Sequence, residues 1–270
     1  MPYAALGDVT LYYEEVGTGE PLLLVAGQGA DHHLFDDLRE DFASRYRVIV
    51  HDYRGTGQSD KPTEPAYSTR GFARDIARLL DHLQIPRAHA YGGSMGGRVC
   101  QWLGIDYPDR VGSLVLGCTT PGNAHGIPRS PEINAAMANP PADPAQRVAF
   151  LISYLVSPGW LASHPEYVAE WREQLSAPIP EHARRLHYLA SEGHDSWDLL
   201  PTIKAPTLVI HGSEDLLNPT ENAFLLAKRI QGAELHIVQG GRHGYHNEFR
   251  EEATRVVLDF LARHPIGGAS

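Results

Sequence analysis

The stretch Ala88-His89-Ala90-Tyr91-Gly92-Gly93-Ser94-Met95-Gly96-Gly97 decides how this chain folds. Residues 88–92 read as a buried strand, and a helix is predicted from Met95 to about Tyr107, where Pro108 stops it. Between them Gly92-Gly93-Ser94-Met95-Gly96 forms a Gly-x-Ser-x-Gly pattern, flanked by strand and helix as that pattern requires. A serine on so tight a turn needs small neighbours so that the backbone can pass, and glycine supplies them. Its hydroxyl is then exposed at the start of a helix, where the Met95 N–H can donate to an oxyanion.

The same alternation extends outward in both directions. Runs at 22–26, 47–52, 113–117, 207–211 and 235–238, most of them nearly all apolar as strands buried on both faces must be, are each followed by turn residues. Helical spacing at 71–83 and 251–263 supplies cover for a mostly parallel sheet, and a Gly7-Asp8 turn makes 3–14 a lead-in hairpin. The pattern breaks over 121–200, which is dense in proline (121, 128, 131, 140, 141, 144, 158, 165, 178 and 180) and carries short helical runs at 147–156 and 167–175. The expected organisation is an α/β core, 1–120 and 201–270, interrupted by a helical cap at 121–200. The last residues, 267–270, read as a frayed tail.

Serine is a weak nucleophile and needs a base, with a carboxylate to orient that base. On a sheet of this kind the acid comes second and the histidine third along the chain. His211-Gly212-Ser213-Glu214-Asp215-Leu216-Leu217-Asn218-Pro219 follows an apolar strand and offers two acids, Glu214 and Asp215. After the last strand, Gly240-Gly241-Arg242-His243-Gly244 presents His243 on a glycine-flanked loop, with His246 as the alternative base.

These motifs together resemble the serine members of the α/β-hydrolase superfamily, over nearly the whole core. Asp52-Tyr53-Arg54-Gly55-Thr56-Gly57-Gln58-Ser59 is similar to that family's Asp-x-Arg-Gly-x-Gly-x-Ser turn, whose role there is structural. Residues 212–219 resemble its acid loop, which favours Asp215 over Glu214. The resemblance implies a Ser94-His243-Asp215 triad. The family usually has His-Gly after its first buried strand; here Ala26 precedes Gly27, and the resemblance leaves the N–H of Gln28, with that of Met95, to form the oxyanion hole. Among capped members the chain looks most like enol-lactone hydrolases, aminoacrylate hydrolases of pyrimidine breakdown and carbon–carbon bond hydrolases of aromatic degradation. What this implies is a cofactor-free hydrolase of an ester or lactone of a small, fairly apolar molecule. Two alternatives stand beside it: hydrolysis of a diketone by the same residues, and a hydrolase-fold protein that only binds a small ligand. Gly27, Tyr154, Trp160 and Trp171 are the candidate substrate contacts. Dehalogenases and epoxide hydrolases of this fold carry aspartate where Ser94 stands.

Composition narrows the partners. A net charge of −10 without a basic run argues against nucleic acid, which is bound by releasing counterions to a basic surface. The longest apolar run, 22–26, is too short to span a bilayer, and no leader pattern opens the chain, so a cytoplasmic protein is expected. Oligomeric state is left open. Cys100 and Cys118 fall in apolar stretches as core residues. The adjacent His32 and His33 are expected to point apart at the pocket entrance, and no metal-ligand spacing accompanies them. No phosphate-binding or dinucleotide fingerprint is present.

Overall fold

Strands whose residues are apolar throughout occupy the middle of the molecule, and those with polar alternation lie at its edge. The computed structural model describes residues 2–65, 67–174 and 179–267. The lead-in hairpin is β1 (Tyr3–Ala5) and β2 (Thr10–Val16), paired antiparallel. It is followed by β3 (Glu20–Val25), β4 (Tyr46–His51), β5 (Ala88–Gly93), β6 (Val111–Gly117), β7 (Thr207–Gly212) and β8 (Glu234–Val238). In space the order is β1-β2-β4-β3-β5-β6-β7-β8, with every pairing from β4 to β8 parallel. All of β6 and β7 is buried, as are Leu22–Val25 of β3.

The helices are α1 (Asp36–Ala43), α2 (Thr69–His82), α3 (Met95–Asp106), α4 (Pro131–Ala138), α5 (Pro144–Leu155), α6 (Pro158–Ser163), α7 (Glu166–Gln174), α8 (Glu181–Glu192), α9 (Glu221–Arg229), α10 (Tyr245–Glu248) and α11 (Arg250–Ala262). Ser68 caps α2 by accepting from the Gly71 N–H at 2.9 Å, and Phe72, Ile76, Leu79 and Leu80 follow at the spacing of one buried face. Against α2 packs α3, whose approach to the sheet is set by Gly96: a Cβ there would sit 1.9 Å from the Val25 carbonyl oxygen. Cys100 and Cys118 are buried free thiols.

Between β6 and β7 lie α4 to α8. Three of the prolines that mark this region in the sequence open its helices rather than break them. Pro131, Pro144 and Pro158 each occupy a first turn, behind the capping side chains of Ser130, Asp143 and Ser157. Proline suits that position because its missing N–H would be unpaired there anyway. The run predicted at 167–175 is α7, although Leu175 itself lies outside the described residues. Helices α4, α6 and α8 were not predicted, since α4 and α6 are short and α8 is mostly polar. At the other end, Gly267 is not frayed: its N–H and that of Ile266 donate to Glu20 Oε1 at 3.4 and 2.8 Å. Residues 268–270 lie outside the described residues.

Candidate active site

After β4 the chain crosses back to start β5 on the far side of β3, and such a reversal of strand order opens a crevice at the carboxyl ends of the two strands. Ser94 stands there, on the turn from β5 into α3, with φ 56° and ψ −120°. The turn is clamped from β6: the Ser94 N–H donates to Gly117 O at 2.9 Å, and Thr119 Oγ1 donates to Ser94 O at 2.7 Å. At the N-caps of α2, α4 and α6 a serine hydroxyl accepts an N–H of the helix it opens. Ser94 opens α3 without doing so, and among the described residues no hydrogen bond engages its Oγ. The hydroxyl remains available for chemistry.

The loop after β3 closes over this serine. A Cβ on Gly27 would lie 3.7 Å from Ser94 Cβ, and the turn is held by the Ala30 N–H donating to Gly27 O at 3.3 Å. Gln28 is exposed on that turn, while Met95 is buried at the first position of α3, where backbone N–H groups have no partner within the helix.

Asp215 and His243 meet although 28 residues apart: His243 Nδ1 donates to Asp215 Oδ2 at 2.8 Å. That bond uses one ring nitrogen and leaves Nε2 for an outside partner. Asp215 Oδ1 accepts from the N–H groups of Leu217 and Asn218 at 2.8 and 2.9 Å. A second imidazole, which the sequence reading missed, also reaches this carboxylate: His211 Nε2 lies 3.1 Å from Oδ2 and 2.8 Å from Asn218 O. Burial by itself would raise the Asp215 carboxyl. The charge of His243 and the hydrogen bonds from His211 and His243 outweigh it and hold the group well below the usual carboxylate range. Glu214 is exposed and makes no such contact. His246 is half-buried, with its Nε2 shut away from solvent and unpartnered, and that loss of hydration, helped by the nearby charge of His243, pushes it down to about 4.

His32 and His33 depart from expectation. Their rings lie 4.0 Å apart, His32 is buried, and Asp31, His32 and Asp52 bring one ligand-type atom each within 4.8 Å. No spacing in the sequence revealed that group, because Asp52 comes from the next loop. Its atoms are engaged with one another: His32 donates to Asp52 Oδ1 from both its backbone N–H (2.8 Å) and Nδ1 (2.7 Å), and the Gln58 N–H donates to Oδ2 (2.7 Å). Burial opposes charge on His32, yet Asp52, Asp31 and Glu14 raise its imidazole above the ordinary value. The pair joins the loop after β3 to the loop after β4. Arg54 is likewise structural, forked onto Asp75 at 2.6 and 2.9 Å.

The candidate substrate contacts of the insertion are largely engaged in packing. Trp160 and Trp171 cover a small cluster of Val148, Ile152, Val156 and Tyr167, and Tyr154 stands edge-on to Phe150 with ring centres 5.3 Å apart. An aromatic pattern in sequence does not distinguish core from pocket. The insertion nevertheless reaches the histidine loop: the Gly244 N–H donates to Leu155 O at 2.7 Å, and Arg242 Nη1 donates to Ser153 O at 2.9 Å. Asn247 Nδ2 donates to Tyr167 Oη at 2.8 Å.

Residues 20–249 match the family described as alpha/beta hydrolase fold. The chain belongs to that family. Among α/β-hydrolases it is 33% identical to a protein of Azorhizobium caulinodans provisionally named carbamate hydrolase RutD, over 96% of this chain and 98% of that one. It is 28% identical to the 2-hydroxy-6-oxo-6-phenylhexa-2,4-dienoate hydrolase of Comamonas testosteroni, covering 95% and 92% of the two chains. The crystal structure of the enol-lactonase from Burkholderia xenovorans LB400 superposes with a TM-score of 0.84 at 25% identity, covering 97% of this chain and all of that one. No helix among the described residues is long and apolar enough to cross a membrane.

Proposed function

We propose that this α/β-hydrolase is a serine hydrolase that cleaves an ester or lactone bond of a small, fairly apolar molecule. The observation that carries the reading is an unengaged Ser94 hydroxyl after β5 and, after β8 at the carboxyl end of the same parallel sheet, an imidazole whose Nδ1 is held by a buried carboxylate, His243 on Asp215 at 2.8 Å. Ser94 Oγ attacks the carbonyl carbon while His243 Nε2 takes its proton, and Asp215 stabilises the imidazolium that forms. The oxyanion is met by the N–H groups of Gln28 and Met95, supported by the packing of Gly27 on Ser94. The intermediate collapses as His243 returns the proton to the leaving alcohol, and water repeats the sequence on the acyl-enzyme. Helices α4 to α8 act as the cap that selects the acyl group, a role supported by their bonds to the loop of His243.

Similarity to an enol-lactonase supports the lactone reading, and similarity to a dienoate hydrolase keeps carbon–carbon cleavage by the same residues as the second. Short-chain esters, lactones and a vinylogous diketone assayed side by side separate them. A fluorophosphonate is expected to label wild type on Ser94, with Ser94→Ala losing both labelling and turnover; labelling that persists in the variant overturns the assignment. His243→Ala is expected to lower kcat by several powers of ten, leaving the residual rate an oxyanion hole provides. A loss confined to His246→Ala would move the base to that residue.

A further inference from the structure

Resting on the reading of Ser94 as nucleophile and Asp215 as its acid, we infer that Asn218 is a positioning residue that sets the acid loop and the turn of Ser94 relative to one another. Asn218 is only 5% exposed on the loop after β7, and three of its polar groups are bonded to three different residues. Its N–H donates to Asp215 Oδ1 at 2.9 Å, its carbonyl accepts from His211 Nε2 at 2.8 Å, and its side-chain Nδ2 donates to Cys118 O at 2.6 Å. The first two bonds are made by the main chain and tie residue 218 to its own strand and loop, whatever side chain it carries. The third needs this side chain and crosses 100 residues of sequence to the end of β6.

Cys118 is the middle of the clamp on Ser94. Gly117 O, on one side of it, accepts the Ser94 N–H at 2.9 Å, and Thr119 Oγ1, on the other, donates to Ser94 O at 2.7 Å. Cys118 Sγ would lie 3.6 Å from a Cβ on Gly93, the residue before the serine. Cys118 itself has φ 37°, a left-handed conformation that a residue with a side chain keeps only where its neighbours hold it. Among the described residues Asn218 is the donor that meets its carbonyl, and with Cys118 2% exposed that carbonyl depends on a protein partner.

The sheet does not fix these two loops by itself. The parallel pairing of β6 with β7 runs out at Gly117 opposite Ile210, and beyond it the Cys118 N–H still donates to Ile210 O at 3.0 Å. Asn218 carries the connection past that point, its main chain on the carboxylate and its side chain on the clamp. A shift of the acid loop is thereby passed to the serine turn, which keeps Asp215, and His243 bonded to it, in register with Ser94. The next polar side chains of the loop do not reach that turn: Thr220 Oγ1 donates to Gly212 O at 2.7 Å, and Asn222 Nδ2 donates to Pro219 O and Ile127 O, each at 2.9 Å.

Asn218→Leu removes the donor, keeps the branching of the side chain and leaves both main-chain bonds in place. Thr220→Val removes a bond of the same loop that does not reach Ser94. The full chain and both variants are compared by kcat and KM on an activated acetate, by Tm, and by native-state exchange of the Ser94 N–H followed by nuclear magnetic resonance. Asn218→Leu is expected to lower kcat about tenfold at unchanged KM and to speed exchange of the Ser94 N–H about tenfold, the loss of one buried hydrogen bond. Thr220→Val is expected to lower Tm to a similar extent while kcat and Ser94 exchange stay at their wild-type values. If Asn218→Leu does not fold, Asn218→Ala, which removes the same donor without new bulk, is held to the same expectations. A wild-type value of either quantity in the Asn218 variant, or the same losses in Thr220→Val, overturns the proposal. Exchange needs no turnover, so it decides the coupling even if Ser94→Ala keeps wild-type activity, an outcome that sinks the serine reading alone.

Discussion

Ser94 sits at φ 56° and ψ −120°, a region that costs a residue with a side chain on the order of 1–3 kcal/mol. The neighbours over-determine it: Gly117 O takes its N–H, Thr119 Oγ1 holds its carbonyl, and the first turn of α3 begins immediately after it. Glycine adopts such angles freely, so Ser94→Gly is expected to be inactive but more stable than wild type, by about 1 kcal/mol or a few degrees in Tm for a chain of this size. Thermal unfolding of the two proteins checks this; a lower Tm in the variant would mean that the side chain packs more than it strains. His211 belongs to the same scale. Its position four residues before Asp215 is visible in the sequence, yet the strand-to-loop geometry that brings both to one oxygen is not.

At the level of elements, the end of α5 is docked against the loop of His243 through a contact that tolerates no side chain. A Cβ on Gly244 would lie 2.9 Å from Leu155 O and 3.3 Å from Leu155 Cβ, both closer than ordinary contacts. Gly244→Ala is expected to push α5 away and lose the 2.7 Å backbone bond, destabilising the protein by roughly 1–3 kcal/mol through overpacking. Because His243 is the preceding residue, kcat/KM is expected to fall in parallel, measured with an activated acetate beside a urea unfolding curve. Loss of stability with full activity would show that His243 is positioned independently of the insertion. The His32–Asp52 pair ties the loop of Gly27 and Gln28 to the loop after β4.

Over the whole molecule, acid sensitivity follows from histidines whose ring nitrogens are kept from solvent in neutral form. His51, His187 and His246 are each pushed down to about 4, chiefly by burial. His51 has neither ring nitrogen partnered, whereas His187 Nε2 donates to Arg54 O at 2.9 Å and its ring stacks on Phe72. Between the ordinary imidazole value of 6.5 and about 4, the unfolded chain binds protons that the folded chain refuses. Stability is therefore complete above that window and is lost as pH falls through it. Tm is expected to drop steadily from neutrality to about pH 4, and His51→Phe, an apolar ring of similar shape, is expected to flatten part of that drop. A variant with the same slope as wild type would remove His51 from the account.

The sequence by itself determined the strands of the sheet, helices α2, α3 and α11, and the chain order of Ser94, Asp215 and His243. Strand alternation, the serine turn between β5 and α3, and an acid and a histidine after the last two strands are local signals, carried by residues within a few positions of one another. Tertiary structure alone decided that His211 shares Asp215 with His243, that His32 is buried on Asp52 rather than set at an entrance, and that Trp160 and Trp171 pack on a small apolar cluster. It also decided the partner of the Asn218 side chain, which lies 100 residues away. The physical reason is common to all of these. Periodicity and turn chemistry depend on the dihedral angles of neighbouring residues, whereas the partner of a buried charge depends on which distant segments the packed sheet and its insertion bring to the same few ångströms.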